Sequence, residues 1–112
     1  MVRTHILLAD GHVQVDDGVS LAKNPPDGAT IWVDVITSSH LGLAALPPAW
    51  DFHPLALEDC INLQRRAKYE RYPKHGFAVF LALDTGTDEL LDTSPICVCV
   101  QPGRIVSVHE RP

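Results

Sequence analysis

Residues 96–100 (ICVCV) and 104–109 (RIVSVH) are two β-branched runs separated by the turn dipeptide Pro102-Gly103. Spacing this short leaves the chain no route but straight back, so the two runs predict an antiparallel hairpin, and with it a sheet that the rest of the chain must extend and cover. Upstream, residues 77–83 (FAVFLAL) are continuously apolar and of strand length, which predicts a strand buried on both faces. Asp84-Thr85-Gly86-Thr87-Asp88 then turns the chain.

The first half reads as short strands broken by turn chemistry. Asp10-Gly11 and Asp17-Gly18 place residues that tolerate positive φ between apolar alternations, giving strands over residues 3–9 and 12–15. After the loop of residues 23–29, residues 30–36 alternate Ile31, Val33 and Val35 against Trp32 and Asp34, a third strand. Ser38 or Ser39 caps a short helix through about Leu46, which Pro47-Pro48 stops. A second helix opens at Pro54, because the amide that proline lacks has no intrahelical partner in the first turn, and runs to about Leu63. Strands, two central helices, then strands define one domain, residues 1–112, of α/β (α+β) sandwich class with a mixed, largely antiparallel sheet and short helices.

Charge and cysteine usage narrow the functions. The net charge of −5 disfavours nonspecific attraction to nucleic acid or anionic lipid. The N-terminal apolar run, residues 6–9, is too short for a signal peptide, and no apolar stretch approaches the ~20 residues of a membrane helix. The three cysteines are an odd number, which fits a reducing cytosol. Nucleotide-binding glycine motifs and a Gly-x-Ser-x-Gly elbow are absent, so an enzyme reading is unsupported.

Four groups of residues could carry chemistry. On the second helix, Ala56, Leu57, Cys60, Ile61 and Leu63 project to one face, while Glu58, Asp59 and Asn62 share the other with Leu55. Glu58 and Asp59 are oxygen ligands suited to a hard cation such as Mg²⁺, or they are a solvated helix face. The segment of residues 64–74 (QRRAKYERYPK) holds five of the nine basic residues with two tyrosines, a nucleic-acid surface or a charged sheet edge and subunit contact. Cys97 and Cys99 lie two apart on one side of a strand, where they pack as small hydrophobes or pinch a soft ion such as Zn²⁺ with Cys60 or a histidine. His53 before the helix and His109 at a strand end read as structural histidines.

Taken in order, Trp32-Val33-Asp34, a short helix, HPLALED (residues 53–59), QRRAKYERY (residues 64–72) and a strand ending Val106-Ser107-Val108-His109-Glu110 resemble the cytoplasmic domain of CorA-type divalent-cation transporters over residues 30–110. Ala67 stands where that family often has proline, and Pro73-Lys74-His75 replaces a more acidic stretch. The pore signature Gly-Met-Asn is absent, since the one methionine is Met1. The resemblance implies a soluble sensing and assembly domain on the cytoplasmic side of the membrane, joined to it through a stalk helix and membrane part that lie outside this chain. It implies subunits arranged as a homopentamer, and a regulatory Mg²⁺ between them near Asp59, with Glu58 beside it. Zinc-transporting relatives share the fold, and a free-standing metal- or nucleic-acid-binding module remains the alternative from other classes. Because the core strands bury their apolar faces without any ligand, thermal melts with and without EDTA should coincide; a large loss of stability on chelation would reveal a structural metal at Cys97 and Cys99.

Overall fold

The computed structural model describes residues 2–18, 25–36, 46, 50–62, 66–84 and 92–110. The described strands are β1 (Val2–Leu7), β2 (Val13–Asp17), β3 (Thr30–Ile36), β4 (Lys68–Tyr72), β5 (His75–Asp84), β6 (Asp92–Gln101) and β7 (Arg104–His109), with helix α1 (Pro54–Ile61) between β3 and β4. They form one seven-stranded sheet in the order β2-β1-β3-β7-β6-β5-β4. Only the β3·β7 pair among them is parallel; the other five are antiparallel. The sheet is therefore mixed and largely antiparallel, as expected. The short helix expected from Ser38 or Ser39 to Leu46 lies, apart from Leu46, outside the described residues.

The hairpin expected around Pro102-Gly103 is present: Gln101 pairs with Arg104, and Gly103 takes φ 74°, a conformation that costs a residue with a Cβ about 1 kcal/mol or more. Its carbonyl also accepts from the Ile31 amide at 2.8 Å, which sets the start of β3 beside β7.

One face of the sheet carries the core. Ile6, Ile31, Val33, Val35, Phe77, Val79, Cys97, Cys99, Val106 and Val108 are buried there, capped by Ala56 and Cys60 of α1 and by Leu46, Trp50 and Phe52. The period of two along each strand delivers these side chains to one side. Residues 75–84 correct the expectation of a strand buried on both faces. Phe77 is 0 % exposed, yet Phe80, pointing the other way, is 58 % exposed, and Val100 and Tyr69 on the neighbouring strands and Trp32 on β3 are exposed too. An apolar run shows that a strand is apolar on both faces, not that both faces are covered. Phe77→Ala should therefore cost about 3–5 kcal/mol in urea unfolding, and Phe80→Ala no more than about 0.5 kcal/mol; equal losses would mean the outer face is packed.

Candidate functional site

Helix α1 starts where sequence reasoning placed it. His53 is its N-cap, with Nδ1 accepting from the Leu55 amide at 3.1 Å, and Pro54 occupies the first turn. Asn62 closes it through a hydrogen bond from its amide to the Glu58 carbonyl at 2.9 Å, so α1 ends at Ile61, short of Leu63, which lies outside the described residues. The start is pinned to the β4–β5 hairpin by His75. The buried His75 ring accepts from the His53 amide at Nε2 (2.7 Å), which leaves Nδ1 to donate to the Gly76 carbonyl (3.0 Å). Tyr72 stacks on both rings, at 4.3 Å from His53 and 5.2 Å from His75. Lys74 pairs with Asp51 at 2.5 Å on the rim of a pocket of about 150 Å³, and its ammonium holds the Asp51 carboxyl below the usual range.

Of the two acids singled out on α1, Glu58 is exposed, whereas Asp59 is half-buried. The outward projection is thus half right for Asp59: its side chain is 25 % exposed and its Oδ2 accepts from Lys68 Nζ at 2.7 Å. Lys68 begins β4 and also reaches Glu70 at 3.0 Å, with its ammonium 5.6 Å from the centre of the buried Phe77 ring. The Tyr72 hydroxyl completes the row by donating to Glu70 at 2.7 Å. Asp59, Lys68, Glu70 and Tyr72 form a continuous charged network between helix and sheet. Its electrostatics follow from these contacts. Hydrogen bonds to Asp59, then Glu70, push the Lys68 ammonium well above its ordinary pKa; donation by Tyr72, then Lys68, holds Glu70 below the carboxylate range; and Glu70 raises the Tyr72 phenol.

Sequence reasoning missed Lys68, Glu70 and Tyr72 as partners of Asp59. The signal was present, because residues 68, 70 and 72 alternate onto one strand face, but which helix that face meets is a tertiary fact. The described part of the basic segment, residues 66–74, contains the edge strand β4, where Tyr69 and Arg71 are exposed, and Arg66 ahead of it is exposed too.

The structure does bring Cys60, Cys97 and Cys99 together, all buried, where α1 meets β6. Hydrogen bonds to Cys97 and Cys99, with burial, push the Cys60 thiol up. The Cys97 thiol lies 3.9 Å from the Asp59 carbonyl. Among the described residues no three His, Cys, Asp or Glu side chains are arranged to hold a metal ion. On the opposite face, Asp34 Oδ1 accepts from Ser107 and lies 2.7 Å from both its Oγ and His109 Nε2, while Ser107 accepts from Trp32 Nε1 at 2.7 Å. The hydroxyl proton goes to the carboxylate, not to an imidazole, so the trio braces β3 against β7 and lacks the relay of a serine nucleophile. His53 and His109 both serve structure, as expected.

A model of the family described as CorA-like Mg²⁺ transporter protein matches residues 27–112. The chain belongs to that family. A protein of Bacillus subtilis (strain 168) named "Putative metal ion transporter YfjQ" is 33 % identical over 84 residues, 75 % of this chain and 25 % of the relative. The solved full-length CmaX protein superposes with a TM-score of 0.72 at 12 % identity, over 97 % of this chain and 34 % of CmaX, which establishes the shared fold. This CorA-like chain thus spans a quarter to a third of the length of the proteins it matches. The family is one of transporters, not enzymes. No described helix is long and apolar enough to cross a membrane.

The network has a pH signature. Because Glu70 titrates lower in the folded state than its ordinary 4.5, its contribution is present above that value and is lost as pH falls below it. Melting temperature should drop as pH is lowered through and below 4.5, and Glu70→Gln should shrink that drop; an unchanged acid limb would show that the network does not couple to folding.

Proposed function

We propose that the chain is a cytoplasmic sensing and assembly domain of a CorA-like divalent-cation transporter, in which Asp59, with Glu58 beside it, forms half of a regulatory cation site shared between subunits. The observation that supports this reading is the placement of Asp59: a partly exposed carboxylate near the end of α1, paired with the Lys68 ammonium, in a chain whose family carries Mg²⁺. Lys68 already bridges Asp59 and Glu70 as a cation would. A divalent ion approaching from a neighbouring subunit competes with that ammonium for Asp59, and it brings twice the charge.

The physical basis is the conversion of repulsion into bridging. Carboxylates ~4 Å apart across an interface repel by on the order of 4 kcal/mol at an effective dielectric of about 20, and a bound dication reverses the sign. A difference of that size is enough to bias an assembly, here a homopentamer, between two states. Mg²⁺ suits one or two carboxylates with retained waters; zinc carried by a relative of the same fold is the second reading, and the site would then respond to that ion. The ion is regulatory in either case, and the fold does not depend on it.

The test is made in the intact transporter. Asp59→Asn should cost the domain about 1 kcal/mol, since it keeps the side chain's shape and leaves Lys68 paired with Glu70, and should weaken protection from protease by millimolar Mg²⁺. Lys68→Met, which removes the competing ammonium, should strengthen that protection. Wild-type Mg²⁺ dependence in both variants would reduce Asp59 to a structural partner of Lys68 and end the sensing role.

A further inference from the structure

Among the described residues the sheet ends in two edge strands, β2 and β4, each of five residues and each paired on one side. Every residue of β2 is exposed, including Val13 at 61 % and Val15 at 53 %, and it carries neither the lysine nor the proline that commonly protects an edge. We propose that β2 of one copy of this chain pairs with β4 of a second copy, so that the sheet continues from subunit to subunit. The inference rests on the reading of this chain as a domain that assembles with itself.

Direction, backbone, side-chain face and charge agree on this pairing. Following the pairings across the sheet, one parallel and five antiparallel, β2 and β4 run in opposite directions. A copy added head to tail therefore sets its β4 antiparallel to β2. The amide of Gly18 bonds to the Val2 carbonyl and that of Leu8 to the His12 carbonyl, both at 2.8 Å. By alternation, Gln14 and Asp16 direct their backbone groups to β1, and Val13 and Val15 direct theirs outward. In β4 the Tyr72↔His75 pair closes the two-residue turn Pro73-Lys74 and faces inward, so Tyr69 and Arg71 direct their backbone groups outward.

Side-chain faces match in the same register. Gln14 and Asp16 lie on the core face, opposite Ile6 and Thr4, as do Lys68 and Glu70, opposite Val79 and Phe77. Placing Val15 opposite Tyr69, which is 66 % exposed, puts Val13 opposite Arg71, Gln14 opposite Glu70 and Asp16 opposite Lys68. An apolar pair and an opposite-charge pair then sit directly across the new ladder. The charges of β2 are Asp16 and Asp17, while β4 and its approach carry Arg66, Lys68 and Arg71 against Glu70. Asp16 Oδ1 takes the Asp17 amide at 2.9 Å, so the ladder runs through Val13 and Val15. Each copy offers one edge of each kind, the heterologous contact that generates rings when the rotation closes.

Sedimentation of the 112-residue chain over a range of concentrations should show self-association that weakens with salt. Val15→Pro removes an outward amide and no β1 bond, so it should weaken association about tenfold or more with an unchanged melting temperature. Mixing Val15→Cys with Tyr69→Cys chains should give a disulfide-linked pair that neither variant forms alone, the native thiols being buried. A chain monomeric at all concentrations, a Val15→Pro variant that assembles like wild type, or single variants that cross-link as well as the mixture would each overturn the pairing. The edge contact is read from association of this chain, and the Asp59 role from Mg²⁺ protection of the intact transporter, so the two readings fail in separate measurements.

Discussion

The parallel ladder between β3 and β7 holds this fold together. On either side of it the chain forms self-contained antiparallel units, β2-β1-β3 and β7-β6-β5-β4, and the register from Ile31↔Arg104 to Ile36↔His109 is what makes them one sheet. Val33, Val35, Val106 and Val108 seal it on the core face, at 0–1 % exposure. On the other face the carboxylate of Asp34 joins Ser107 and His109, with the Trp32 indole bonded to Ser107. A parallel pair is slightly weaker per residue than an antiparallel one and is separated here by some seventy residues of chain (about 73 from Asp34 to Ser107), so its closure has a large entropic cost. Packing on one face and a satisfied polar network on the other offset that cost.

Everything at the candidate site is registered from this frame. The C-terminal unit carries β4 on its outer edge, and the β4–β5 hairpin presents His75 to the start of α1 and Lys68 to its end. The helix is only eight residues long, too short to be stable from its own hydrogen bonds, so its position is that of its contacts: His53 on His75, Ala56 and Cys60 in the core, Asp59 on Lys68. The position of the Asp59 carboxylate is therefore set by the sheet beneath the helix, through these three contacts, and not by the helix alone.

Much of the strand content was legible in the sequence. β3 and β7 coincide with the ranges expected from alternation, the Pro102-Gly103 hairpin is where turn chemistry placed it, and α1 begins at Pro54. The run of residues 77–83 was legible as a strand but not as an edge of the core, because hydrophobicity reports what a side chain is, and burial depends on what lies opposite. Asp59 is the same lesson in a charged residue. The helical projection separated it from Ala56 and Cys60, but it had no means of showing that Lys68, nine residues later and in a different kind of element, would cover it.

The sequence by itself determined the elements: periodicity, proline and glycine act over a few residues, and the physics that reads them is local. It also determined the family resemblance, which the match over residues 27–112 carries. The tertiary structure alone decided the strand order, the single parallel joint and the pairing of Asp59 with Lys68. It also decided which apolar faces and strand edges are left open. Those depend on contacts between residues far apart in the chain, whose energies exist only once the sheet has brought them within a few ångströms of each other.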